Sequence, residues 1–351
     1  MANLETEILD DIIVKGRRKM LALGGTALAG LVLARATPAL AASYSDSDIL
    51  NFALNLEYLE ANFYYLSAFG CTIDKPNAAA IAAGAPSGGI PITGSVGTPG
   101  TVSGGSLVPF ATIPVASYAI ETAIEEGKHV LFLQAALGSA AVAQPQINLG
   151  TSWPALATAA QIPGGSGFLP YVNDETFLVG AYVFEDVGVT AYHGAASLLT
   201  SSGNLSAAAG ILAVEAYHAG LVRTTINALD PQNTGIGSYT DLISTLRAAL
   251  SLAASPVTLT PGTTPNPYDA NPDDYGLSTF TTPSGLGGGQ TATATRITDA
   301  DPTNVIAFAR NTTQVLNIVT GGGAVSNNAV VSPAKGIFFP AGLNAGPNGF
   351  K

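Results

Sequence analysis

Apolar residues recur at helical spacing through Ile49, Phe52, Ala53, Leu56, Phe63 and Leu66, a stripe that predicts one long helix. Ser45-Asp46-Ser47-Asp48 offers an N-cap hydroxyl and acidic first-turn residues ahead of it, and Gly70 ends it. A second helix is expected from Pro114, a suitable first-turn residue, through SYAIETAIEEGKHVLFLQAAL to Gly138. The third starts at the cap signal Asn173-Asp174 and runs to Leu199. The fourth follows the tight Ser201-Ser202-Gly203-Asn204 turn and stops before Asp230-Pro231. A fifth, Tyr239 to Ala254, is expected to pack on the outside of the other four.

Between the helices the texture changes. Residues 71–111 are rich in Gly, Ser, Thr and Pro with short β-prone pieces such as Ile90-Pro91-Ile92-Thr93, which predicts a flexible hairpin over one end of the bundle. Residues 139–173 read as a long loop holding the only Trp, Trp153. After Ser255 come Pro/Gly/Thr-rich loops, one helix near Thr303–Val319 and a Gly-rich tail. Its apolar segments around Phe308 and Ile337-Phe338-Phe339 are expected to dock on the bundle.

The polar residues inside the helices are ordered too. Glu126-Gly127-Lys128-His129 and Glu215-Ala216-Tyr217-His218 are both Glu-x-x-His, which stacks a carboxylate and an imidazole one turn apart on one helix face, a pair able to grip one metal ion. The other two helices carry Glu57 in LNLEYLEANFYYL and Glu185 in YVFEDVGVTAYHG. Each Glu is followed seven residues later by a tyrosine, Tyr64 and Tyr192, two turns on and on the same face. The order Glu…Tyr, Glu-x-x-His therefore occurs twice, an internal repeat of one helix pair. Coincidence explains this poorly, since the chain has only three His and two of them carry the motif.

Neighbouring groups take lesser roles. Glu60 is an alternative ligand beside Glu57, while Glu121 and Glu125 are expected to be solvated. Asp186 points about 100° away from Glu185 and reads as a structural hydrogen bonder. His193 reads as a partly exposed structural imidazole. Arg223 reads as one half of a surface salt bridge, with pairing to a carboxylate near the site as the alternative.

Composition sharpens this picture. Of 351 residues only 11% are charged and 47% are hydrophobic, so a carboxylate inside an apolar helix is informative, because an unpaired buried charge is costly. A net charge of −11 and the lack of a basic patch exclude nucleic acid as a partner. The single Cys71, read as a small loop residue, rules out an intramolecular disulfide framework. Arg17-Arg18-Lys19, the diluted apolar run LALGGTALAGLVLA and Pro38-Ala39-Leu40-Ala41-Ala42 predict a Tat-type signal over residues 1–42. The run is too short and interrupted for a good membrane span. The expectation is a chain exported to the periplasm or beyond, with no stable span after processing.

The phrases LNFALNLEYLEANFYY, FLVGAYVFEDVGVTAYHGAA, FARNTTQVLNIV and GIFFPAGLN resemble the ferritin-like proteins termed desiccation-related in plants and bacteria. The resemblance covers nearly the whole mature chain and is most specific in the third helix and the tail. It implies an all-α fold: a ferritin-like up-down four-helix bundle with long crossover loops, an added helix and a loop-rich C-terminal appendage. The bundle would span 43–254, with the insertion 71–111 and the extra helix 239–254, followed by an extension over 255–351. Glu57, Glu126, His129, Glu185, Glu215 and His218 match the ligand positions of ferritin-like dimetal proteins one for one. That implies two iron or manganese ions, with zinc less suited. Glu57 and Glu185 would bind terminally, Glu126 and Glu215 would bridge, and His129 and His218 would serve one ion each. Open positions would suit peroxide or dioxygen, with Tyr64 or Tyr192 donating a proton or an electron. The insertion and tail argue against a storage cage of the ferritin type. The rival reading is a structural or binding protein of the cell envelope, which should have lost at least one of the six ligands; none is missing.

Overall fold

The computed structural model describes residues 44–252, 273–283, 291–301, 303–322, 325–326, 329–330 and 336–345. The export signal read at residues 1–42 lies outside them.

Four long helices form the bundle: α1 (Asp46–Phe69), α3 (Ile113–Leu137), α5 (Asp174–Ala196) and α6 (Ser202–Leu229). The caps behave as the sequence implies. Ser45 and Asp48 close a capping box at the start of α1, Gly70 takes the left-handed conformation (φ 69°) at its end, and Asn173 caps α5 with Thr176. Helix α1 buries almost its whole circumference, polar residues such as Asn51, Asn55 and Asn62 included, which makes it the central element.

Polar contacts at the ends fix the directions. The end of α1 meets the approach to α3 where Val108 N–H donates to Ser67 O at 2.9 Å, and its start meets the end of α3 where Asn51 donates to Ala140 O at 2.9 Å. The Asp174 carboxylate at the start of α5 accepts from Ala111 and Thr112 N–H, at 2.8 and 3.0 Å. The Asp46 carboxylate at the start of α1 accepts from Thr200 and Ser201 N–H, at 2.8 and 3.0 Å. The four helices thus run up, down, down and up, with a connection between α3 and α5 that crosses the length of the bundle. This is the expected all-α bundle with a long crossover.

The two long connections depart from expectation. Residues 71–111 form no hairpin. They contain a short helix α2 (Ala78–Ala83), bury Ile73, Ile90 and Val108, and pair with the crossover. Strand β1 (Val102–Gly104) lies parallel to β2 (Ile147–Leu149). The pairing continues upstream, where Ala143 N–H donates to Val96 O at 2.8 Å and Gln144 N–H to Ile92 O at 2.9 Å. Glycine serves close backbone approach here: a Cβ at Gly94 or Gly100 would fall within 2.3 Å of the facing main chain. The crossover is likewise structured, with α4 (Ser152–Ala159) placing a fully buried Trp153 against Phe63, Phe184 and Phe338.

Helix α7 (Ile236–Leu252) packs on α5 and on α8 (Thr312–Val319), and strands β3 (Thr279–Pro283) and β4 (Thr291–Thr295) form an antiparallel ribbon. The helix expected at Thr303 begins only at Thr312, because Asn311 and Gln314 close a capping box there. Upstream, Arg310 N–H donates instead to Thr190 O on α5 at 3.0 Å. Gly194 permits that approach, since a Cβ on it would collide with the Arg310 carbonyl.

Arg223 is not a surface residue. It is 1% exposed and pairs with Asp186 at 3.0 Å, and Arg247 meets the same carboxylate at 3.0 Å. Arg247 and Arg310 both reach Asp274, at 2.8 and 2.9 Å. Asp186, Asp274 and Asp299 lie close enough together to hold an ion, but guanidinium groups already neutralise the first two. The cluster ties α5, α6 and α7 to the C-terminal segment.

Candidate metal centre

Halfway along the bundle, α1 contributes Glu57 and Glu60, α3 Glu126 and His129, α5 Glu185, and α6 Glu215 and His218. The structure brings all six residues of the sequence pattern together, each buried. His129 Nδ1 lies 3.4 Å from Glu57 Oε2, 3.4 Å from Glu126 Oε2 and 3.6 Å from Glu215 Oε1. His218 Nδ1 lies 3.1 Å from Glu126 Oε1 and 3.3 Å from Glu185 Oε2. Glu126 therefore stands between the imidazoles, one oxygen toward each.

Eight donor atoms of these six residues are buried with no hydrogen-bond partner: Glu57 Oε2, both oxygens of Glu126 and of Glu215, Glu185 Oε2, and Nδ1 of both histidines. Buried polar atoms are normally paired. Two neighbourhoods of liganding atoms within 4.8 Å emerge, Glu57-Glu126-His129-Glu215 and Glu126-Glu185-His218, sharing Glu126. Glu215 fits because residue 188 on α5 is glycine: a Cβ there would sit 2.1 Å from Glu215 Oε2. Convergent unpaired donors and a cradle that one methyl group would fill suit a metal centre.

The tyrosines lie across the bundle from where the repeat suggests. Tyr64 donates to Glu185, and Tyr192 donates to Glu57. Each phenol shares a helix face with one carboxylate yet bonds the equivalent carboxylate of the other helix pair. Burial, then the bonded carboxylate's charge, pushes both phenols well above the usual range, so they remain donors.

Glu125 corrects the sequence reading. It is partly exposed, yet its Oε2 meets His218 Nε2 at 2.7 Å. A proton on Nε2 held by that carboxylate leaves Nδ1 facing the site, the arrangement that orients a ligating histidine. Only its adjacency to Glu126 hinted at this. Gly188 was also missed, although a glycine inside a helical pattern is a signal of close approach. Glu60 is buried close to the cluster, Glu121 is exposed as expected, and His193 Nδ1 bonds the Phe308 carbonyl at 3.1 Å, a structural role.

Burial and neighbouring charges act against each other across the cluster. Burial, then Glu126 and its neighbours, holds the carboxyls of Glu60 and Glu215 well above the usual range. Burial also opposes charge on Glu126, but His129 and His218 overcome it and hold its pKa low. Burial disfavours charge on His129, yet Glu126 and Glu57 raise its pKa to about 12.

Residues 45–228 match the family described as Ferritin-like domain. The chain is also similar to desiccation-related protein PCC13-62 of Craterostigma plantagineum, 33% identical over 215 residues. That match covers 59% of this chain and 62% of the relative, so less than two thirds of the relative's length is spanned. No solved structure gives a significant match. With the bundle, its crossover and the buried Glu/His cluster in place, the chain belongs to the ferritin-like domain family.

Proposed function

We propose that the chain is an exported ferritin-like metal protein whose centre holds two iron or manganese ions and reacts with dioxygen or peroxide in protection against drying or oxidative stress. The observation that carries this is the set of eight unpaired, buried donor atoms on six residues. Four carboxylates and two imidazoles suit iron or manganese, since hard oxygen donors favour both and zinc prefers fewer ligands richer in nitrogen or sulfur. Four carboxylate charges also balance two divalent ions, which makes their burial tolerable.

Glu57 with His129 would hold one ion and Glu185 with His218 the other. Glu126 would bridge, since its oxygens face one imidazole each. Glu215 would bind on the His129 side, and its second oxygen is equally unpaired. Bound ions would supply open coordination positions and redox electrons for dioxygen or peroxide. The chain's own part is to exclude water, to orient His218 through Glu125, and to keep protons on Tyr64 and Tyr192 within hydrogen-bond reach of Glu185 and Glu57. The Arg17-Arg18-Lys19 signal supports export after folding, which would let the metal be collected in the cytoplasm. The stress role leans on the relative's name. A structural envelope protein would leave the unpaired donors unexplained.

The test is elemental analysis of the purified full chain beside Glu126→Ala and His218→Ala. The expected result is about two Fe or Mn per chain, lost in both variants. A folded wild-type protein free of metal, with variants no less stable, overturns the proposal.

A further inference from the structure

A cleft runs between the first half of α1, the second half of α5 and the start of α8, and it reaches Glu57, Glu60 and Tyr192. Its walls are aliphatic and aromatic, chiefly Ile49, Phe52 and Leu56 from α1, Ala195 from α5 and Val315 from α8. The C-terminal segment builds one side of it. Arg310 and Thr312 line the cleft, held there by the bond from Arg310 to Thr190 and by the approach that Gly194 permits.

Apart from Glu57 and Glu60, the charged and phenolic groups at the cleft are committed elsewhere. The Arg310 guanidinium bonds Asp273, Asp274 and Thr190, and the Tyr192 hydroxyl bonds Glu57. A hydrated cation would have to lose its water against hydrocarbon, which is costly. Hydrogen peroxide would likewise give up several hydrogen bonds and regain few. A small apolar molecule gives up nothing. The cavity volume is about 30 Å³, on a scale where one water needs about 10–15 Å³. Dioxygen, with two heavy atoms, fits within it.

We infer that this cleft binds a small apolar gas and leads it to the Glu57–Tyr192 edge of the site, so that dioxygen rather than peroxide is the oxidant it admits. What becomes of the gas rests on the dinuclear reading; its binding does not, so the two can fail separately.

Xenon is the probe. Crystals of the full chain, metal-free and metal-loaded, are pressurised with xenon beside Ala195→Phe and Ala53→Met, which fill the cleft from opposite walls and replace no proposed ligand. The expected result is a xenon peak in the cleft of both wild-type forms and its loss in the variants. The reduced, loaded variants should also react more slowly with dioxygen at unchanged metal content. A cleft without xenon overturns the inference, as do filled variants that react at the wild-type rate. Should one variant fail to fold, the other carries the same readouts. A chain that takes up no metal yet shows xenon in the cleft sinks the dinuclear reading alone.

Discussion

Replacing Gly188 by alanine disturbs the site without removing a donor. The new Cβ would lie 2.1 Å from Glu215 Oε2, whereas ordinary contact begins near 3.4 Å, so the carboxylate has to move by more than 1 Å. Because the obstructing atom is the far end of a flexible side chain, the metal-free protein should accommodate the change cheaply, and alanine itself favours helix over glycine by roughly 1 kcal/mol. The bound state is less forgiving, since metal–ligand distances tolerate only about 0.2 Å. A displaced carboxylate should weaken binding at least as much as loss of a partner behind a ligand does, about 10–100-fold, or roughly 1.4–2.7 kcal/mol. The assay is metal content after dialysis against buffered Fe(II) or Mn(II), with a melting curve of the metal-free form. Wild-type affinity in Gly188→Ala would refute the reasoning. A lower metal-free melting temperature would show instead that the methyl group is absorbed by the backbone.

Glu125→Gln should keep the fold and weaken metal binding about 10–100-fold, because His218 Nε2 loses its anionic partner; an unchanged binding titration would count against that role. Asp186→Ala strips charge from buried Arg223 and Arg247, and chemical denaturation should register a loss of about 3–5 kcal/mol. A loss under about 1 kcal/mol would mean water reaches those guanidiniums. The Asp46 carboxyl is held well below its ordinary value, first by the Thr200 N–H and despite some burial, with Asn204 and Ser201 adding to it. A depressed carboxyl contributes stability that is present above its unfolded value of 3.8 and is lost as pH falls below it. Asp46→Asn should therefore be less stable than wild type at neutral pH, with the gap closing in acid; a gap constant from pH 7 down to about 3 would contradict this.

What the sequence could reveal divides by distance along the chain. Glu126 and His129 share a helix face whatever surrounds them, as do Glu215 and His218, so both pairs were legible from spacing alone, and the end caps were local in the same way. Partners contributed from afar were not. Tyr64 shares a face with Glu57 as the spacing requires, but only the packing of α1 against α5 decides that it bonds Glu185. The glycine-rich stretch after α1 looks formless in sequence because it gains its hydrogen bonds from main chain some 45 residues on. Arg223 reads as a surface charge until Asp186 and the carbonyls of Gly276, Arg296 and Ile297 arrive to surround it.

The crossed tyrosines carry a consequence for how the repeat works. Each helix pair brings a carboxylate, a Glu-x-x-His face and a phenol, yet the phenol completes the opposite carboxylate. One pair alone is a half-site with its proton donor pointing away from itself. Two identical half-sites would have to associate before either was finished, and here that association is written into a single chain. The centre is in effect an intramolecular dimer, in which Tyr64→Phe would be felt at Glu185 and Tyr192→Phe at Glu57.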